Sequence, residues 1–388
     1  MNMINDLLSE KATKEDSYLQ GQMNPPSPLL AYIAQNYALK KVPFVGTVIS
    51  DAELINEVLR SRDKFELVKS NSIKGVVKTV TLNYGMHNNL TAEELVRVTT
   101  VIDSMLSNLG KNVANNITPI LDEIAEGLNN PAGINIVPLA DRLAYSMMWS
   151  LFGLDESHKD SDTFFSFAIN RFRNFAANIH QKDAAQLYSL DFLTEIFNRS
   201  HENKESFVRL MSSKGFSKEE AADIGSSLFI AGAEMTASTL PRMLAFLVKT
   251  GHTEFLAENP AFVMPALKEG MRVIAPTPVT VYVAKQATRL NDIPIKKGEK
   301  LILSAIEASN RFGEFNPEVA VPSSIEEMWS LIGPHQKFGV SISLYTAKPL
   351  VKSMIAKHPR LTVLSQSSED KDSMGRYKEL VIGTEQLP

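Results

Sequence analysis

Apolar positions recur with a helical period over most of this chain, and with a period of two only in short stretches. The longest helical pattern runs from Ser217 to Gly251. Ser217 and Glu220 have the spacing of a capping box, with Phe216 just ahead as a hydrophobic staple. Gly251 supplies a left-handed stop. A helix of that length spans roughly 50 Å. Leu228, Phe229, Ile230, Ala231, Gly232 and Ala233 make its middle apolar all round, the pattern of a helix buried in a core. Glu234 interrupts that stretch. A buried carboxylate costs several kcal/mol unless it is paired, hydrated or neutralised. The small side chains before it let another group come close to the backbone, and Pro241 predicts a kink one turn later.

The remaining pattern is mostly helical. Residues 1–30 are polar, with Pro25, Pro26 and Pro28 near the end, and read as a loosely packed lead-in. Phe44 to Ile49 reads as a strand, and Ser50-Asp51-Ala52-Glu53 opens a helix to about Arg60. Residues 76–90 read as loop. Thr91 to Leu128 is helical with a break near Gly110. Ile134 to Val137 reads as strand and Pro138 to Leu154 as helix. Phe164, Phe165, Phe167, Phe172 and Phe175 read as core packing in a further helical stretch. Helical patterns continue over 191–197, 204–211, 254–258 and 260–273. After Ala275 two strands are expected, 280–284 and 300–303, with turns at Asn291-Asp292 and Lys297-Gly298. Ser341 to Lys357 returns to helix, and 360–386 reads as short strands and loops. The expectation is a mainly α protein with a minor β region, with residues 31–388 as one domain.

Composition narrows the chemistry. The 388 residues are 44% hydrophobic and 22% charged, ordinary for a globular protein with a large core. A net charge of −4 gives no bulk electrostatic case for nucleic acid or an anionic membrane. The polar start of the sequence shows no apolar run of the length a signal peptide or membrane span requires, so a cytoplasmic location is the expectation. There is no cysteine, which excludes disulfides and thiolate ligands, and the seven histidines show no metal-ligand spacing.

Three motifs carry a family likeness. They are Ala231-Gly232-Ala233-Glu234-Met235-Thr236, Glu269-Gly270-Met271-Arg272, and Gly333-Pro334-His335-Gln336-Lys337-Phe338-Gly339. From about residue 43 the chain resembles the bacterial cytochromes P450. The first motif resembles that family's central-helix signature, the second its Glu-x-x-Arg brace, and the third its haem-ligand loop. The resemblance implies the P450 fold. It also exposes losses. The position of the iron-binding cysteine is Lys337, and an ammonium does not imitate a thiolate. The bland reading of Lys337 is a side chain reaching solvent or a carboxylate. Met235 stands where the family's threonine would follow the acid, and Thr236 lies about 100° further round the helix. Tyr282 stands where many bacterial members place an arginine for a haem propionate. The early His-x-x-x-Arg falls on Leu95 and Thr99, with His87 and Arg97 nearby. The stretch before Ser330 lacks the side chain that joins the Glu-Arg pair, and Leu331 and Tyr282 are bulky enough to fill vacated space.

Together these losses imply that no cofactor is bound and that haem binding itself is lost. Ala231, Gly232, Met235, Tyr282, His335 and Lys337 then mark a pocket or a vestigial haem site, while Glu269 and Arg272 are structural. Three functions remain open. One is an auxiliary or binding protein for a biosynthetic enzyme of secondary metabolism, as cysteine-less P450 relatives are in antibiotic pathways. The second is a non-redox enzyme using Glu234, with Thr236 nearby, as general acid or base on an apolar small molecule. The third is a haem protein with a non-thiolate ligand, His335 or Lys337. No nucleic acid or membrane partner is expected.

Overall fold

The computed structural model describes residues 28–43, 45–67, 90–107, 109–154, 197, 206–277, 279–332, 334–368 and 377–384. The expected loop at 76–90 (but for its last residue), the 191–197 helix (but for Phe197), the phenylalanine cluster at 164–175 and His87 lie outside these residues. In chain order the elements are α1 (Pro28–Asn36), β1 (Leu39–Val42), β2 (Gly46–Ile49), α2 (Ala52–Arg60) and β3 (Phe65–Leu67). Next come α3 (Ala92–Ser107), α4 (Leu109–Leu128), β4 (Ile134–Asn135), α5 (Ile136–Leu151) and α6 (Phe207–Ser212). The long helix α7 (Lys218–Lys249), α8 (His252–Glu258) and α9 (Val263–Ile274) follow. Then come β5 (Val279–Ala284), β6 (Thr288–Leu290), β7 (Ile293–Ile295), β8 (Lys300–Ser304) and α10 (Ala305–Asn310). The chain closes with α11 (Ser323–Ile332), α12 (Pro334–Lys357), β9 (Leu361–Ser368) and β10 (Tyr377–Thr384).

The chain divides into two compact units. The first, 1–83 with 264–333 and 367–378, contains the five-stranded sheet β1-β2-β8-β5-β3. Only the β2–β8 pairing in it is parallel. Asp51 caps α2 by accepting from the Leu54 backbone at 3.0 Å. Asn291 and Asp292 take φ of 44° and 63° in the β6–β7 turn, the left-handed pair that a tight hairpin requires.

The second unit, 84–263 with 334–366 and 379–388, is helical around α7. The capping box forms as its spacing predicts: Ser217 Oγ accepts from Glu220 N at 3.1 Å, and Glu220 accepts from Ser217 N at 2.8 Å. Gly251 turns the chain at φ 72° after α7, which runs through Pro241 as one helix. Phe152 lies at the centre of an aromatic core, 5.3 Å from Phe197, 5.0 Å from Phe207, 5.9 Å from Phe229 and 5.6 Å from Phe338 between ring centroids.

Two expectations are corrected here. The strand expected over Ile134–Val137 stops at Asn135, because Asn135 accepts from Val137 N at 3.2 Å and caps α5. Pro138 then sits in the first helical turn, where its missing N–H costs nothing. The loop expected over 333–339 is helix from Pro334, seven residues before the expected start at Ser341. Proline at the first helical position presets the required φ and has no donor to satisfy.

Candidate functional site

The first unit carries the Glu-x-x-Arg brace. Glu269 and Arg272 face each other one turn apart on α9, 4% and 1% exposed. Arg272 Nε donates to Glu269 Oε2 at 2.7 Å and Nη2 to Oε1 at 2.6 Å, the bidentate geometry that suits a planar guanidinium. The remaining Arg272 donors reach backbone carbonyls, Ser309 O at 2.6 Å and Gly313 O at 2.8 Å. Asn316 N donates to Glu269 Oε1 at 3.2 Å. Backbone groups thus complete the pair where the resemblance leads one to look for a third side chain. Tyr282 belongs to the same unit, in β5 opposite Leu301 of β8 and Leu67 of β3. It keeps some exposure, but the surrounding protein desolvates its phenol and pushes the pKa up to about 12, against a smaller opposing pull from Arg62.

The second unit carries α7 and the first turns of α12. Among the described side chains, two glycines set how closely these helices pack. A Cβ on Gly232 would lie 2.6 Å from Met148 Cε and 3.1 Å from Phe338 Cδ1, so protein side chains, from α5 and α12, fill the approach to that backbone. A Cβ on Gly339 would lie 2.4 Å from Met235 Sδ. Met235, at the family's threonine position, is therefore packed on α12. Thr236 is fully buried with its Oγ1 3.3 Å from Ser343 Oγ, and the Ser343 hydroxyl donates to Gly339 O at 2.7 Å. Ala231, Glu234 and His335 lie on these helices, and their side chains are outside the described atoms.

Lys337 sits in the first turn of α12, and its Nζ donates to Asp103 Oδ1 of α3 at 2.6 Å. The pair is partly open, with the lysine 33% and the aspartate 51% exposed. Lys337 thus reaches a carboxylate. Its neighbour Phe338 is fully buried and meets Phe152 edge-on at 90°. Sequence reasoning missed Asp103, Phe338 and Met148. Asp103 lies 234 residues from its partner on an exposed helical face, and no local pattern marks it. Of the early motif, Leu95 and Thr99 lie on α3, where Thr99 Oγ1 donates to Leu95 O at 2.8 Å. Arg97 is engaged elsewhere, donating to Lys214 O at 2.9 Å and lying 4.8 Å over the Phe216 ring. Among the described residues no three histidine or carboxylate side chains converge on a metal position, and no helix is long and apolar enough to cross a membrane.

No protein-family model matches this chain, and no curated protein matches it either. Solved structures do. Cytochrome P450 EryK from S. erythraea is 18% identical over 91% of this chain and 94% of its own, with a TM-score of 0.70. CYP109B1 from Bacillus subtilis is 17% identical over 92% and 98%, with a TM-score of 0.71. P450BioI, solved in complex with an acyl carrier protein ligated to hexadec-9Z-enoic acid, is 15% identical over 95% and 99%, also at 0.71.

These neighbours correct the expectation that no cofactor is bound. They are cytochromes P450, whose fold normally carries haem, and the lack of cysteine does not establish a haem-free protein. The described residues do not, however, fit a haem held in the family's manner. There is no thiolate, and the side chain at its position is held by Asp103. The cofactor question is thus separate from the architecture, which is the cytochrome P450 fold.

Proposed function

We propose that this chain is an auxiliary, partner-binding protein on the P450 scaffold, without the thiolate-dependent monooxygenase chemistry of that family. The observation that carries the reading is Lys337. The residue at the iron-ligand position is a cation paired with Asp103 at 2.6 Å, in a helical turn anchored by the buried Phe338. Oxygen cleavage on a P450 draws on electron density pushed from a cysteine ligand. A lysine has no comparable push, whether or not the scaffold carries haem. The partner is an enzyme of a biosynthetic pathway. Support for a protein partner comes from P450BioI, a structural neighbour solved on an acyl carrier protein.

A paired experiment tests this. The tagged chain is isolated from its native host and sized by light scattering, and the purified protein is supplied with ferredoxin, ferredoxin reductase and NADPH over a panel of apolar substrates. The expected outcome is a complex of defined stoichiometry and no substrate-dependent NADPH consumption. Consumption coupled to a hydroxylated product overturns the reading.

A further inference from the structure

A groove of about 630 Å³ lies within the second unit. Lys249, Gly251 and Glu254 form one wall, at the end of α7 and the start of α8. The unbroken run Pro359–Gln366 forms the other. On a sheet face only every second residue of a strand would line a groove. Six successive residues of β9, Leu361–Gln366, line it, so the groove follows the edge of that strand.

Among the described residues the edge of β9 carries no defence against strand pairing within the strand itself. The sheet order β4-β10-β9 leaves β9 outermost among the described strands. Its sequence, Leu-Thr-Val-Leu-Ser-Gln-Ser-Ser, has eight residues with no charge, no proline and no glycine. Leu364 is 46% exposed, and Ser365 and Gln366 are exposed beside it. The other described edges carry the usual defences against strand pairing. β1 has Lys40 and Lys41, β3 has three residues with Glu66, β4 has two residues, and the β6–β7 pair carries Arg289 and Pro294.

Charge says what fits. Arg360 is neutralised by Glu254 at 2.9 Å. The Lys249 side chain has no hydrogen bond or ion pair among the described residues, and the protein around it disfavours its charge by desolvation. We infer that the edge of β9 is a docking site for an extended segment of a partner protein, which adds a strand to the sheet and places a carboxylate on Lys249. Main-chain hydrogen bonds would supply affinity, and the carboxylate would fix register. The inference rests on the partner-binding reading and gives it a location.

The probe is a set of eight fluorescein-labelled octapeptides of alternating valine and threonine, each with one aspartate at a different position, followed by anisotropy against the full chain. One aspartate position binds best. Lys249→Glu weakens that peptide about three- to fivefold and favours its lysine counterpart. N-methylation of alternate amides abolishes binding. Unchanged thermal melting of Lys249→Glu shows that the fold is intact. No binding, binding indifferent to Lys249→Glu, or equal binding of the N-methylated peptide overturns the inference. Concentration-dependent dimerisation that Gln366→Lys abolishes would also overturn it, by assigning the edge to a second copy of the chain. Failure here leaves a partner on another face, whereas monooxygenase turnover would remove the partner-binding reading itself.

Discussion

Two ion pairs occupy two of the family-like motifs, and they are built in opposite ways. Glu269–Arg272 is buried and bidentate, and further bonds run from Arg272 to backbone carbonyls and to Glu269 from a backbone N–H. Lys337–Asp103 is a single contact with both partners partly in solvent. Around the first pair every polar group depends on the others, so the motif is held by hydrogen-bond satisfaction. Around the second the turn is held by packing, through Phe338 against Phe152 and Gly339 against Met235. A scaffold motif that braces backbone persists because removing it orphans buried groups. The turn that carries Lys337 does not depend on its ion pair in that way, because packing holds it.

The comparison predicts graded losses. Arg272→Met leaves the Glu269 carboxylate and the Ser309 and Gly313 carbonyls buried without their partner, and is expected to remove about 3–5 kcal/mol in urea unfolding. A loss below about 1 kcal/mol would equate the brace with a surface pair. Gly339→Ala comes next. Its methyl group meets Met235 at Sδ and also at Cβ, 2.4 Å and 3.0 Å away, so rotation of the thioether alone does not relieve it. The expected cost is about 1–3 kcal/mol, and Met235→Ala should restore part of it in the double variant. Additive effects would mean that the helices do not meet at this point. Lys337→Ala is the mildest. A pair this exposed contributes no more than about 1 kcal/mol, and added salt should shrink the difference from wild type.

The fold was legible because its signals are local. The Ser217–Glu220 box, the Gly251 stop and the Asn291-Asp292 turn each sit within a few residues and formed as read. The brace was legible too, since Glu269 and Arg272 are three residues apart. Its completion by Ser309 and Gly313 was not, because backbone carbonyls carry no side-chain signature. Motif matching suggested a loop at 333–339, where the sequence itself held a helix signal in Pro334. Gly232 was legible as a close approach, but the identity of what approaches, Met148 and Phe338, depends on tertiary packing. The expected absence of a cofactor extrapolated from several changed motif positions, Lys337, Met235 and Tyr282 among them, to a whole site, and the structural neighbours correct that step.

The most direct test of the account is the visible spectrum of the haemin-treated protein, reduced under carbon monoxide, in wild type and Lys337→Ala. The account predicts no thiolate-type carbonyl band and no spectral difference between the two proteins, because Lys337 stays on Asp103. A Soret band that shifts when Lys337 is removed would contradict it, by making this lysine an iron ligand.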